Sequence, residues 1–235
     1  MQEAKVRCIQ SNMDVLARAP ETRFETLVDE LREAILTGRY RAGERLVQED
    51  LAEAFRVSRI PLREALRRLE GEGLVIISPN RGAIVRPLAP KDIVDLYDLR
   101  LALETLAVRR AAERYADVRE ATTRRREEAA AAVESGALTT LFRLDRDFHA
   151  DLAAASDNPH LVAALGGQWS QIMRIMHAYL RVGTYAPNVW QEHSGLADAV
   201  AHGDADGAAE RLRLHLTTSR DRILADLWDK GPVSR

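Results

Sequence analysis

Two prolines, Pro87 and Pro90, mark the sharpest change of texture in this 235-residue chain. Before them, apolar residues recur first at helical spacing and then in short continuous runs. After them, nearly every apolar stretch repeats at three- and four-residue intervals. A chain so divided builds two units of unlike architecture, a small mixed one and a larger one made of helices. Proline has no backbone N–H with which to carry a helix or strand onward, so the pair serves as a linker. The expected layout is a flexible leader over residues 1–21, a first domain over 22–88 and a helical domain over 89–235. The length suits two such units, at about 100–200 residues or fewer each.

In the first unit the spacing predicts helices over Thr22–Gly38, over Gln48–Phe55, and from Ser58 to about Glu72. Two short strands follow, Leu74–Ile77 and Ala83–Val85, around the turn Ser78-Pro79-Asn80-Arg81-Gly82. Three helices and a β-hairpin within so short a span suggest a winged helix-turn-helix. Projected at about 100° per residue, the third helix gathers Leu62, Ala65, Leu66 and Leu69 on one side. Ile60, Arg63, Glu64 and Arg67 gather on the other, with Arg59 on its flank. Ser58 is placed to cap this helix, and Pro61 lies in the first turn, where proline is tolerated. Arginines near the start of a recognition helix can meet base edges and phosphates. Arg81 stands at the hairpin tip, where a wing reaches a groove or the backbone.

Charge agrees locally but not globally. The whole chain carries 34 basic and 36 acidic residues, a net of -2 that excludes a uniformly basic nucleic-acid coat. Between Arg56 and Arg86, however, seven arginines face three glutamates. The lone Cys8 allows no internal disulfide and no multi-cysteine metal site, which suits a reducing cytoplasm. No apolar run reaches the ~18 residues of a spanning helix. Glu3, Lys5, Arg7, Asn12, Asp14 and Arg18 break up any export signal at the N-terminus. A soluble, cytoplasmic protein without membrane partners is expected.

The stretches Arg45-Leu46-Val47-Gln48-Glu49-Asp50-Leu51-Ala52, Val57-Ser58-Arg59-Ile60-Pro61-Leu62-Arg63-Glu64-Ala65-Leu66 and Leu69-Glu70-Gly71-Glu72-Gly73-Leu74 together resemble the winged helix of the GntR family of bacterial transcriptional regulators. The resemblance implies that Arg59 and Arg63 contact operator DNA and that Asn80–Gly82 form the wing tip. Ile60, Arg67, Arg81 and Gly82 complete the expected interface. Ile60 departs from the family's usual threonine: it loses a hydroxyl that bonds phosphate, while an exposed isoleucine can touch a thymine methyl.

Beyond the linker, helices are expected over Pro90–Tyr115, Val118–Ser135, Leu138–Ala155, Pro159–Arg181, Trp190–His202 and Asp204–Trp228, packed as an antiparallel bundle. Asn158 before Pro159 is a helix start. Asp145 and His149, four apart, share one helix face and can chelate one ion, and His193 and His215 on later helices can close onto it. One carboxylate and three imidazoles suit zinc, nickel or manganese with positions left open for a ligand. Spacing alone leaves the blander reading open, that of surface and core-satisfying polar groups. Asp145 to His149 with Leu152 and Asn158, then Glu192-His193, Gly203-Asp204, Ala208 and His215, resemble the FCD ligand-binding domain of FadR-type GntR regulators. The resemblance implies a metal held by Asp145, His149, His193 and His215, and a small organic acid as effector. Asp147 points away from that site, and His160, His177 and His202 are structural, with His177 able to line the pocket.

Arg100 falls within the buried face defined by Ile93, Leu96, Leu103 and Ala107, and a buried guanidinium must be paired. Its partner is either an effector carboxylate or Glu104 on the next turn. The expected protein is a dimeric, ligand-responsive regulator, a repressor by the subfamily's usual pattern, reading a roughly palindromic operator. Two rivals stand beside it. A three-histidine, one-aspartate metal can activate water for hydrolysis, but no general base accompanies it and the winged helix would lack a purpose, so no enzyme is expected. The other is an architectural DNA-binding protein whose helical domain only dimerises.

Overall fold

The computed structural model describes residues 20–78, 82–180 and 188–229. The described residues form two compact units, divided between Pro87 and Leu88.

The first unit contains α1 (Pro20–Leu36), β1 (Arg45–Leu46), α2 (Gln48–Ala54), α3 (Arg59–Gly71), β2 (Val75–Ser78) and β3 (Gly82–Val85). Its three strands are antiparallel in the order β1-β3-β2, with Val75 opposite Val85 and Ser78 opposite Gly82. Strand β1 is an addition to the expected elements. Two residues show no periodicity of their own, and Arg45 and Leu46 become a strand only because Ile84 and Ala83 stand opposite them. Leu62, Ala65, Leu66 and Leu69 are all buried and pack α3 on α1 and α2, together with Leu27, Val28, Leu31 and Leu51. Each fully buried leucine contributes roughly 1.5–3 kcal/mol of transfer free energy, so this face holds the helical trio together. Ser58 stands at the start of α3 in extended conformation, but its hydroxyl makes no capping bond. That expectation is corrected: the helix starts through Pro61 and its apolar face, not through a side-chain cap.

The second unit is helical throughout its described residues: α4 (Pro90–Glu113), α5 (Arg119–Ser135), α6 (Leu138–Ala155), α7 (Pro159–Gly166), α8 (Trp169–Leu180), α9 (Val189–Ala201) and α10 (Ala205–Leu224), closing in a π-helical turn, Ala225–Asp229. Helices α4 and α10 make the most extensive pairing, and α4 also packs on α6 and α9. Between them lies an apolar core of Ile93, Val108, Leu141, Phe148, Ile172, Leu196 and Leu212. Asn158 caps α7 as expected, accepting from the backbone N–H groups of His160 and Leu161. The single helix expected over Pro159–Arg181 is two, because the chain turns at Gly167 and Gln168 before α8 begins. No helix among the described residues is long and apolar enough to cross a membrane.

Candidate functional site

On the first unit, α3 presents Arg59, Ile60, Arg63 and Arg67 to solvent, opposite its buried leucine face. Ile60 is 72% exposed, an unusual position for a large apolar side chain and one available to an external partner. Arg59 is not idle: Nη2 lies 3.0 Å from Glu49 Oε1 on α2, both side chains being largely exposed. Arg68, on the flank of the same helix, pairs with Glu25 of α1. Arg32 binds Glu72 in a two-pronged pair that ties α1 to the end of α3. The arginines of α3 thus divide in two. Arg59 and Arg68 brace the unit, while Arg63 and Arg67 face water and make no ion pair among the described residues. Arg81 lies outside the described residues. Gly82 opens β3 with φ of +75°, a left-handed conformation that an L side chain would strain.

In the second unit, three helices bring one constellation together. Helix α6 carries Asp145 and His149 one turn apart, α9 supplies His193, and α10 supplies His215. One donor atom from each lies within 4.8 Å of every other. His193 Nε2 is 3.4 Å from His215 Nε2 and 3.5 Å from Asp145 Oδ1, and His149 Nε2 is 4.0 Å from Asp145 Oδ1. Donors at ~2.1 Å from a common tetrahedral centre lie about 3.4 Å apart, so the two His193 separations match a shared divalent ion and the wider ones lie above that spacing.

The outer nitrogens strengthen that fit. His149 Nδ1 lies 2.6 Å from Glu104 Oε2, and His215 Nδ1 lies 2.8 Å from Glu192 Oε2. A carboxylate accepts from an imidazole N–H, so both rings donate through Nδ1 and turn Nε2 inward, the nitrogen a metal would take. His149 Nε2 is buried and has no hydrogen-bond partner. His193 sits between Phe148, stacked 4.0 Å away, and Trp190, edge-on at 4.8 Å. Burial, chiefly, with the Arg100 guanidinium adding to it, holds His193 well below the usual histidine range, so it is neutral and able to ligate.

Beside the constellation opens a small cleft of about 50 Å³. Arg100, Tyr97, Asp145 and His215 line its inner end. Arg100 Nε donates to Glu104 Oε1 at 2.7 Å, so the bridge on the next turn is made. Its Nη2 nevertheless lacks a partner, as does the hydroxyl of Tyr97, and both atoms are buried. The guanidinium is also held 5.1 Å from the Tyr97 ring and 5.7 Å from that of Trp169. Burial opposes the charge on Glu104, but Arg100 and His149 outweigh it and hold the carboxyl at about 2. Sequence reasoning named Arg100 and the four donors and missed Glu104 and Glu192 as the groups that orient the imidazoles. Glu192, adjacent to His193, had a local signal. Asp147 instead engages Arg143 and Arg146 on the far side of α6. His202 bonds the Asp198 carbonyl, and His177 packs edge-on against Phe142 without lining the cleft.

A winged helix-turn-helix with an arginine-bearing third helix, joined in one chain to a helical unit with a cleft, defines a class of DNA-binding transcriptional regulators. Residues 24–85 match the model of bacterial regulatory proteins of the gntR family, and residues 95–218 match the FCD domain. The Nta operon transcriptional regulator of Aminobacter aminovorans is 39% identical over 194 residues, covering 79% of this chain and 87% of its own. The gluconate operon transcriptional repressor of Bacillus licheniformis is 41% identical over 81 residues, covering 34% of this chain and 33% of its own. A crystal structure described as a transcriptional regulator GntR from Rhodococcus sp. RHA1 superposes with a TM-score of 0.72 at 25% identity, covering 87% of this chain and 98% of that one. The chain belongs to the GntR family of transcriptional regulators and carries an FCD domain. Members of this family bind DNA and are not enzymes.

Proposed function

We propose that this regulator is a cytoplasmic, dimeric repressor whose helical domain, residues 89–235, binds a divalent transition metal and a small organic acid, and whose operator affinity depends on that acid. The observation that carries the reading is a four-residue donor group, two of whose members, Asp145 and His215, line the same cleft as a buried guanidinium, that of Arg100, with an unpartnered nitrogen. Asp145, His149, His193 and His215 would hold zinc, nickel or manganese, which supplies a Lewis-acidic anchor for a carboxylate when bound. Glu104 and Glu192 orient the rings of His149 and His215. Arg100 binds the carboxylate through Nη2 while Glu104 keeps it in place. The acid changes operator affinity because it binds DNA-competent and incompetent states differently. Arg59, Ile60, Arg63, Arg67, Arg81 and Gly82, in the domain over residues 22–88, form the operator interface. The repressor assignment is supported by relatives so named.

The test has two arms. A duplex bound tightly by the wild type is first selected from a random-sequence library. Arg59→Ala with Arg63→Ala then weakens binding to it by about 1–3 kcal/mol for each arginine that reads a base edge. Undiminished binding by the double variant refutes the DNA assignment. His193→Ala loses bound metal, measured by elemental mass spectrometry, together with any response of DNA binding to added carboxylic acids. Full metal content in that variant refutes the metal assignment.

A further inference from the structure

The cleft does not end at Arg100. Helix α10 contributes His215, Ser219 and Arg222 to its wall, at intervals of four and three residues, so the three form one stripe running from the metal donors toward the mouth. Arg222 is half-buried and makes no ion pair among the described residues. The acid one turn on, Asp226, is buried and engaged with Tyr179 instead. Phe142, Met176, Val189 and Ile223 give the wall its carbon, and Tyr97, Tyr179 and Ser219 its hydroxyls.

We infer that the effector is an acid with two anionic heads joined by a short hydrocarbon body, and that Arg222, with Ser219 beside it, receives the second head. This rests on the effector reading above, in which Arg100 takes the first. A simple monocarboxylate would lay its hydrocarbon tail against the Arg222 guanidinium and strip it of water without compensation. A second carboxylate supplies the missing counter-charge through charge-assisted hydrogen bonds. A polyhydroxylated acid would turn several of its hydroxyls to the carbon of Phe142, Met176, Val189 and Ile223, where they find no partner. The length follows from the helix. His215 and Arg222 are separated by about 10 Å along the axis, and that separation bounds the distance between the heads. That span admits acids between succinate and adipate. Asp145 shares the wall, and its charge opposes an anion until a metal takes it up, so the protein must be metal-replete.

Calorimetric titration of the metal-replete protein compares acids of equal carbon number: butyrate with succinate, pentanoate with glutarate, hexanoate with adipate, and gluconate as the polyhydroxylated probe. At least one diacid is expected to bind about ten-fold or more tightly than its monoacid counterpart. Arg222→Met removes that advantage and leaves the monoacids within about two-fold, Arg222→Lys restores part of it, and Arg100→Met weakens both classes. Thermal unfolding of each variant confirms that it is folded. Equal affinity for both classes, an unchanged diacid affinity in Arg222→Met, or tightest binding by gluconate overturns the inference while leaving a carboxylate site at Arg100 standing. Failure of every acid to bind overturns both.

Discussion

Replacing Glu104 by glutamine keeps the shape of the side chain and removes one acceptor, and the structure specifies what that does. Glu104 now accepts from Arg100 through Oε1 at 2.7 Å and from His149 Nδ1 through Oε2 at 2.6 Å. A glutamine offers one oxygen and one NH2 group. If the oxygen stays with Arg100, the NH2 faces His149 Nδ1. That nitrogen can accept only when the ring proton has moved to Nε2, the atom turned toward the other donors. If the oxygen turns to His149, an amide N–H faces the Arg100 N–H and the two repel. In either case a guanidinium that is 1% exposed loses its counter-charge. Breaking a buried pair from one side costs about 3–5 kcal/mol, and the retained hydrogen bond places glutamine near the lower end, about 3 kcal/mol. Metal affinity should fall about 10–100-fold, because the orienting acceptor of one ligand is gone. Urea unfolding followed by circular dichroism in the presence of chelator reads the first quantity. Zinc competition against a chromophoric chelator reads the second. An unchanged unfolding midpoint together with unchanged zinc affinity would refute the reasoning from hydrogen-bond inventory.

Other perturbations follow from features described above. Glu49→Gln releases Arg59 from its ion pair and removes a negative charge beside the proposed DNA face, so affinity for a selected duplex should rise by up to about 1 kcal/mol; a decrease contradicts the placement of Arg59. Burial, chiefly, pushes the Tyr97 and Tyr179 hydroxyls up to about 12. Phenols that ionise near 10 in the unfolded chain then destabilise the fold as pH rises from 10 toward 12, and Tyr97→Phe and Tyr179→Phe should each delete part of the late tyrosinate absorbance. Phe148→Ala removes the ring stacked on His193 and opens a cavity, costing about 3–5 kcal/mol by denaturant titration. Gly203 adopts φ of +75° with Tyr115 Cε1 2.4 Å from where a Cβ would stand, so Gly203→Ala should lower stability by roughly 1–2 kcal/mol; no measurable loss would show that Tyr115 and the turn both yield freely.

What the sequence discloses and what it hides divide along a physical line. The buried face of α3 was legible because Leu62, Ala65, Leu66 and Leu69 are fixed by local periodicity alone. Asp145 and His149 were legible for the same reason, being one turn apart on α6. His193 and His215 were placed beside them by resemblance, since nothing local says that α9 and α10 cross there. The roles of Glu104 and Glu192 were hidden: each meets a ring on another helix, 45 and 23 residues away, and such pairings arise only from tertiary packing. The break at Gly167 was missed because glycine within an apolar helical pattern is usually tolerated. The role proposed for Arg222 has no signal in the sequence, because one arginine near the end of a helix has an ordinary local explanation, that of facing the helix dipole.

Glu104 also joins the two binding events proposed above. Its two oxygens are shared between the residue proposed to hold the acid and a residue proposed to hold the metal. A shift of Arg100 toward a bound anion therefore changes the hydrogen bond that sets the His149 ring, and the reverse holds equally. Free energy is a state function, so whatever factor the metal applies to the affinity for the acid, the acid applies to the affinity for the metal. A regulator wired in this way reports a product of two concentrations. At low metal supply its response curve moves to higher acid without any change in the DNA-binding unit.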